Sequence, residues 1–135
     1  MADQNVYLER VYDEVRARGA QDAQEPPPGT RFLVDRLWPR GVGKESMEGV
    51  RWVKEAAPSP GLRTWFGHDP ARFREFAERY RAELDSRPEA LSPLLDAARR
   101  GPVTLLYAAK DSEHNHAVVL RDHLEEALRP GAGGN

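Results

Sequence analysis

The stretch that decides the fold is Pro102-Val-Thr-Leu-Leu-Tyr-Ala-Ala-Lys-Asp-Ser-Glu-His-Asn-His-Ala-Val-Val-Leu120. Residues 103–108 form a short apolar run that begins directly after Gly101-Pro102. A run that is apolar on both faces is typical of a strand buried between helices, because such a strand has no side in water. Seven polar residues, 110–116, follow, and an apolar helical pattern then begins. We therefore predict a buried strand, a polar loop and a helix, in that order.

The polar loop lies where this kind of fold places its chemistry. In open α/β sheets, ligands bind at the carboxyl ends of the strands, beside helix N-termini. A lysine after a buried strand can lose its proton and act as a base or nucleophile, or it can hold an anion. Histidines exchange protons near neutral pH. The candidate residues of this loop are Lys110, Asp111, His114, Asn115 and His116.

A purely structural role for the same loop is equally open at this point. Asp111 or Ser112 would then cap the following helix, and Asn115 or His116 would bond to backbone carbonyls in the core. No metal site is predicted, because His114 and His116 are two residues apart and do not share a helix face. The pattern specifies no cofactor.

A second group of charged residues follows another predicted strand. It reads Asp35-Arg-Leu-Trp-Pro-Arg-Gly41, so one carboxylate and two guanidiniums leave a strand end beside a glycine turn. Arginine offers a planar fork that suits a carboxylate or a phosphate. The structural alternative pairs Asp35 with an arginine and places Trp38 in the core. Because two strand ends carry such residues, we expect both groups to border one ligand site.

The rest of the chain predicts a small α/β domain. The order of elements favours a single-domain three-layer fold, with a small, mostly parallel sheet flanked by helices. The domain is predicted to span residues 1–129, and residues 130–135 are predicted to form a flexible tail. The predicted elements are strands over about 5–12, 30–37 and 103–108, a short helix or turn near 44–54, a short helical stretch at 61–67, and helices over about 70–85, 88–99 and 114–129.

Two helix starts can be read from the sequence. Asp69 is a good N-cap and Pro70 suits the first helical position, so they predict the start of the helix over 70–85. For the next helix, Ser86 and Glu89 form a capping-box pattern. An interior proline deletes a hydrogen bond, so a later start at Ser92-Pro93 is an alternative.

Composition excludes several kinds of site. The 135-residue chain has no cysteine, which excludes disulfide frameworks, thiolate zinc sites and cysteine nucleophiles. No apolar stretch approaches the roughly 18 residues that a membrane span needs, and the N-terminus lacks the order of a signal peptide. We therefore predict a cytoplasmic protein with no membrane partner.

Charge is distributed unevenly along the chain. The net charge is −2, yet residues 31–67 hold seven basic and four acidic side chains, which makes that segment +3. The same segment contains all three tryptophans. A basic, tryptophan-rich third in an acidic protein indicates a local surface for an anion more than general affinity for nucleic acid.

Several long motifs resemble a known family. They include Arg31-Phe-Leu-Val-Asp-Arg-Leu-Trp-Pro-Arg-Gly-Val42, Leu62-Arg-Thr-Trp-Phe-Gly-His68, Val103-Thr-Leu-Leu-Tyr-Ala-Ala-Lys-Asp111 and His114-Asn-His-Ala-Val-Val-Leu120. Over about residues 5–128 the chain resembles the YeaO-like family of small bacterial proteins, a domain of unknown function. The resemblance implies the fold and these landmarks, and it implies no reaction. A related larger group carries a cysteine at the last landmark, where this chain has Tyr107 to Lys110, so thiol chemistry is not expected.

The two strand ends are also loosely similar to those of rhodanese-like domains. There, an aspartate-arginine strand end faces a strand-loop-helix cradle for an anion. The likeness is one of architecture alone. It implies that backbone N–H groups at the start of the last helix, with Lys110, hold an anion here.

These observations predict a site for an anionic small molecule, such as a nucleotide, a sugar phosphate or a carboxylate, in a possible hydrolase or transferase. Arg36, Arg40 and Lys110 would bind the charge, with Trp38 beside the ligand. Asp35 and His114 or His116 would handle protons, and Asn115 would orient the ligand. The alternatives are a module that binds single-stranded nucleic acid and a catalytically silent, rhodanese-like interaction domain. The oligomeric state is not predicted.

Overall fold

A computed structural model describes residues 5–13 and 29–129. Within these ranges, four strands form one sheet in the order β1-β4-β2-β3, and every pairing is parallel. The prediction of an α/β domain with a small, parallel sheet is confirmed. The predicted tail lies outside the described residues, so the boundary at residue 129 stays a prediction. The strands are β1 (Val6–Arg10), β2 (Thr30–Leu33), β3 (Val50–Trp52) and β4 (Val103–Tyr107).

The strand β4 lies in the middle of the sheet, as its apolar sequence predicts. It pairs with β1 on one side and with β2 on the other, and all five of its residues are buried. Leu105 packs into the larger of two apolar clusters, and Leu106 packs into the smaller one. Neighbouring side chains of a strand point to opposite faces, so the two clusters cover the two faces of the sheet.

Side chains of four α-helices make up most of the larger cluster, whereas only a few buried residues form the smaller cluster on the other face. Val11, in the helical residues 11–13, and Met47 pack on the second face with Leu33 and Leu106. A helical layer is therefore present on each face, although the layers differ in size. The helices that pack on the first face are α1 (Pro60–Phe66), α2 (Phe73–Asp85), α3 (Pro88–Arg100) and α4 (His116–Leu128).

The prediction of a short helix or turn near 44–54 is wrong for its second half. A 3-10 helix spans Lys44–Met47, the edge strand β3 follows, and a second 3-10 helix spans Lys54–Ala56. A three-residue strand is too short to show an alternating pattern, and β3 is largely exposed. Only its pairing with β2 defines it as a strand.

The first two predicted strands end earlier than the sequence indicates. The first ends at Arg10, because residues 11–13 are already helical. The second ends at Leu33, although the N–H of Val34 still donates to the carbonyl of Leu106 over 3.1 Å. The chain from Asp35 onward therefore leaves the sheet at the carboxyl end of β2, and the charged group lies outside the strand.

The helix starts were predicted with mixed success. Asp69 accepts a hydrogen bond from the N–H of Ala71, and Pro70 follows it, but the first turn is a 3-10 helix, Pro70–Arg72, before α2 begins. The capping box at Ser86 does not form, because its hydroxyl donates to the carbonyl of Glu83 at the end of α2. The helix α3 begins at Pro88 and contains Pro93, which excludes the later start.

The last helix begins at His116, two residues later than predicted. Asn115 is its N-cap and accepts a hydrogen bond from the N–H of Val118. None of the described helices combines the length and the apolar character needed to cross a membrane.

Candidate functional site

A cavity of about 540 Å³ opens at the carboxyl ends of β2 and β4. Most of its lining comes from three pieces of chain that are distant in sequence: residues 35–40, residues from the loop and helix after β4, and residues from α1 and its end. Tyr12, Pro58 and Phe76 complete it. The predicted meeting of the two strand ends is therefore present in the structure. The polar and charged lining residues are Asp35, Arg36, Arg40, Arg63, Thr64, His68, Asn115 and His116, together with the hydroxyl-bearing Tyr12.

Asp35 connects the two strand ends. Its Oδ2 accepts a hydrogen bond from the N–H of Ala108, just after β4, over 3.0 Å. Its Oδ1 lies 3.1 Å from Nε2 of His116, and both side chains are only about one-sixth exposed, at 16% and 15%. A carboxylate in this position holds the segment after β2 against the segment after β4, and it does so inside the cavity wall.

The contacts of His116 define which of its nitrogens carries hydrogen. Nε2 lies 2.9 Å from the carbonyl oxygen of Val34 and 3.1 Å from Oδ1 of Asp35, and both oxygens are acceptors. We therefore assign the hydrogen to Nε2. Since one N–H serves the carbonyl, the buried Oδ1 of Asp35 is left without a well-aligned hydrogen bond. Nδ1 has no partner among the described residues and remains available to a ligand.

Three arginines line the cavity, and they differ in how they are held. Arg36 donates from Nε to the carbonyl of Pro58 over 3.2 Å and from Nη2 to the carbonyl of Ala57 over 3.4 Å. Its Nη1 group is then without a partner in the described part of the chain. Arg40 and Arg63 are exposed, and neither forms an ion pair within residues 5–13 or 29–129. The cavity therefore carries two guanidinium groups that form no ion pair with a carboxylate of the described residues.

The loop that carries Arg36 and Arg40 is braced by aromatic side chains. The indole N–H of Trp38 donates to the carbonyl of Val42 over 2.6 Å, and that of Trp52 donates to the carbonyl of Asp35 over 2.7 Å. The two indoles meet edge to face, with centroids 5.4 Å apart. The hydroxyl of Tyr12 donates to the carbonyl of Arg40. Trp38 lines the cavity, and its indole N–H is bonded within the loop, so its contact with a ligand stays a prediction.

The wall beneath the dyad of Asp35 and His116 contains a buried tyrosine. The hydroxyl of Tyr80 donates to the carbonyl of Ala56, and its ring lies edge-on to His116 with centroids 6.3 Å apart. Burial, with smaller contributions from the charges of Glu83 and Asp35, raises the pKa of Tyr80 well above its ordinary value. The phenol is therefore a fixed neutral donor in the wall and not a source of protons.

Lys110 and His114 lie outside this cavity. Lys110 is exposed, and His114 places the edge of its ring on Phe73, with centroids 5.3 Å apart. Nδ1 of His114 lies 2.9 Å from Oδ2 of Asp111. Of the eight predicted site residues, the structure brings six to the cavity: Asp35, Arg36, Trp38, Arg40, Asn115 and His116.

The loop after β4 does not present the expected anion cradle. Oδ1 of Asp111 accepts from the N–H groups of Glu113 and His114 over 2.9 and 3.0 Å. These hydrogen bonds, together with the ring of His114, lower the pKa of Asp111 below its ordinary value. Asn115 uses its amide to donate to the carbonyl of Asp111 and its oxygen to cap α4. The carboxylate of Asp111 itself therefore occupies N–H groups that an external anion would need.

Sequence reasoning did not assign Arg63 and His68 to the site. Both lie within the Leu62-Arg-Thr-Trp-Phe-Gly-His68 motif, and α1 is only seven residues long, so no periodic pattern shows which way Arg63 points. At His68 the distinguishing feature is structural: its φ is positive, at 59°, directly after Gly67. A non-glycine residue in that region is uncommon and occurs most often where the surrounding structure enforces it.

A family model described as "Inactive DUF488-N3 subclade" matches residues 5–134. The chain belongs to this family. It is also similar to the Escherichia coli K12 protein named "Uncharacterized protein YeaO", with 41% identity over 120 residues that cover 89% of this chain and 96% of YeaO. The resemblance read from the motifs is thereby confirmed.

A mycobacterial relative gives the same result. The Mycobacterium tuberculosis H37Rv protein named "Uncharacterized protein Rv3073c" is 39% identical over 115 residues, which cover 85% of this chain and 89% of the relative. No solved structure matches this chain. The description of the family contains the word "inactive" and names no substrate.

Proposed function

We propose that this member of the DUF488-N3 subclade binds an anionic small molecule in the cavity between the ends of β2 and β4. The observation that carries the proposal is the charge of the lining: Arg36, Arg40 and Arg63 face one carboxylate, Asp35. That carboxylate is already bonded to the N–H of Ala108. A concave surface with an excess of two positive charges concentrates anions from solution, although the whole chain is acidic.

We propose that the chain binds this ligand without converting it, because binding alone has more support than a hydrolase or transferase activity. The family description calls the subclade inactive, and the chain has no cysteine. A hydrolase or transferase would have to rely on Asp35 and His116, because Lys110 and His114 do not line the cavity. The hydrolase or transferase prediction therefore has less support than the prediction of an anion site. The cytoplasmic location stays a prediction.

Single-stranded nucleic acid is a weaker candidate. The rings of Trp38 and Trp65 contact other side chains: Trp52 meets the first edge to face at a centroid distance of 5.4 Å, and the guanidinium of Arg79 lies 4.4 Å from the ring centroid of the second. Trp52 is 40% exposed, but the amine of Lys54 lies 5.3 Å from its ring centroid. Free stacking platforms, which such binding uses, are therefore few in the described segment. A silent interaction domain remains compatible with the family description.

Calorimetric titration tests the proposed function. AMP, glucose 6-phosphate and citrate are the probes, and they are titrated into the wild type and into the double variant Arg40→Gln/Arg63→Gln. We expect at least one probe to bind, with an affinity that falls by about tenfold or more in the double variant, since each charge-assisted hydrogen bond contributes roughly 1.5–3 kcal/mol.

The matched control is Arg74→Gln, which removes an exposed guanidinium of α2 that does not line the cavity. It should bind the same probe within about twofold of the wild type, because a distant exposed charge is screened. Equal losses in the control and the double variant would indicate general electrostatic attraction and would contradict the proposal. So would the absence of binding by all three probes.

A further inference from the structure

The cavity has an apolar part as well as a charged part. Leu37 is 62% exposed and lines it, and of the described large apolar side chains that are exposed, it alone does so. Behind it lie Phe66 and Phe76, whose rings stack at a centroid distance of 4.3 Å and whose side chains are only 6% and 1% exposed. Pro58 lies beside them in the lining, and its carbonyl holds Arg36. Apolar carbon and guanidinium groups are thus next to each other.

The exposure of Leu37 is fixed by its neighbours. Arg36 is held by two backbone carbonyls, and Trp38 is held by Val42, so the chain on each side of Leu37 has a defined position. An exposed leucine is ordinary by itself, but a leucine held at the rim of a cavity offers apolar surface to whatever enters.

The volume of the cavity leads to the same conclusion. A cavity of about 540 Å³ holds the equivalent of roughly 18 waters, if each occupies about 30 Å³. A small inorganic anion at the arginines would leave most of that space, and the side chain of Leu37, in contact with water. A ligand with an additional apolar group would cover Leu37, since the phenylalanines behind it are already buried.

We propose that the ligand is an anion with an apolar group of the size of an aromatic ring, whose phosphate or carboxylate group contacts Arg40 and Arg63 and whose ring packs on Leu37. This inference rests on the proposed function and adds the chemical class of the ligand. The bidentate fork of arginine suits either anionic group. Charge and apolar surface together select against small, purely polar anions.

The test compares phenyl phosphate with methyl phosphate, which carry the same anionic group and differ in the ring. We expect phenyl phosphate to bind the wild-type chain about tenfold more tightly in calorimetric titration. A tenfold change corresponds to about 1.4 kcal/mol, which needs only roughly 55 Å² of apolar surface removed from water at about 25 cal/mol per Å².

Variants locate the ring. Leu37→Ala should weaken phenyl phosphate by about threefold or more and leave methyl phosphate within about twofold, since only the apolar wall is reduced. Tyr7→Ala is the matched control, because Tyr7 is 46% exposed on β1 and does not line the cavity. It should change neither ligand.

The outcomes separate the two proposals. If both esters bind with equal affinity, the inference about the aromatic ring is wrong while the anion site stands. If neither binds, the inference about the ring is overturned, and the titrations with AMP, glucose 6-phosphate and citrate decide the proposed function separately. If phenyl phosphate binds more tightly but Leu37→Ala has no effect, the ring packs elsewhere and the inference is overturned.

Discussion

Asp35 has a structural role that its position in a charged motif conceals. It was predicted to handle protons, and its carboxylate lies in the cavity wall next to His116. The same carboxylate accepts a hydrogen bond from the N–H of Ala108, the residue directly after β4. A buried N–H that loses its acceptor costs free energy, so part of the value of Asp35 is in the fold. A loss of binding in an Asp35 variant must therefore be read together with its stability.

We expect Asp35→Asn to lower the free energy of unfolding by about 1–3 kcal/mol, the cost of disturbing a buried charge-assisted hydrogen bond. The new amide would place a donor next to Nε2–H of His116 or next to the N–H of Ala108. Urea denaturation measures the change. Asp96→Asn is the control, because Asp96 forms an exposed pair with Arg99 and should change stability by less than about 0.5 kcal/mol. Equal values for the two variants would show that the strand ends do not depend on Asp35.

Asp111 gives a pH-dependent prediction. Hydrogen bonds from Glu113 and His114 lower the pKa of its carboxyl in the folded chain. A lowered folded-state pKa means that the ionised carboxylate stabilises the fold above its unfolded pKa of about 3.9, and that this stabilisation is lost as the pH falls through the folded pKa. Wild-type Tm should therefore exceed that of Asp111→Asn at pH 6–7. The difference should shrink below about pH 4.

Thermal melts of the two proteins between pH 7 and pH 3 measure this difference. The neutral asparagine resembles the protonated aspartic acid, so the two curves should approach each other at low pH. A Tm difference that stays constant down to pH 3 would mean that the charge of Asp111 does not contribute, and that its oxygens alone hold the loop.

At the scale of elements, the short helix α1 depends on a contact with α2. Ser59 caps α1 by accepting from the N–H of Leu62, and its own hydroxyl and N–H donate to the carboxylate of Glu83 over 2.6 and 2.9 Å. Helices of seven residues are not stable by themselves. The position of Arg63 and Phe66 in the cavity wall therefore depends on this cap.

We expect Ser59→Ala to lower the free energy of unfolding by about 1–2 kcal/mol, as the loss of an N-cap does, and to weaken binding of the anionic probe as well. Urea denaturation and calorimetric titration measure the two effects. Ser92→Ala is the control, since the hydroxyl of Ser92 makes a long, exposed contact with the carbonyl of Pro88 inside α3. A variant with a lost cap but unchanged affinity would show that α1 does not position the site.

The elements that were predicted correctly share a strong local signal. The strand β4 is apolar on both faces, and α2 carries an apolar stripe with aspartate and proline before it. The strand β3 was missed because three residues at a sheet edge have no pattern of their own and are defined by pairing with β2. The early ends of β1 and β2 were missed for a related reason. Valine and leucine continue past both ends, but they pack in helical or loop conformations there.

For the molecule as a whole, the sequence predicted which two segments meet, but not how their side chains are oriented. Arg40 and His116 reach the common cavity, whereas Lys110 points away and His114 pairs with Asp111. Orientation in a loop is decided by contacts between distant residues, such as the bond from Ala108 to Asp35, and no local pattern records them. The same limit applies to Arg63, which a third segment brings to the site.

The charge of the cavity is opposite in sign to the net charge of the whole chain. A net charge of −2 does not suggest an anion-binding protein. Residues 31–67, the positive segment found in the sequence, supply the three cavity arginines, and the acidic side chains described outside that segment do not line the cavity. Binding at such a site should weaken as salt concentration rises, since exposed charges are screened.

The central claim is that Arg40 and Arg63 contact the anionic group of a ligand. NMR detection of the arginine Nε–H signals during a titration with phenyl phosphate tests it most directly, because each signal reports on one guanidinium. We expect saturable shifts of the Nε–H signals of Arg40 and Arg63, and no shift at Arg74 on α2. Shifts of equal size at all three, or a shift at Arg74 alone, would contradict it.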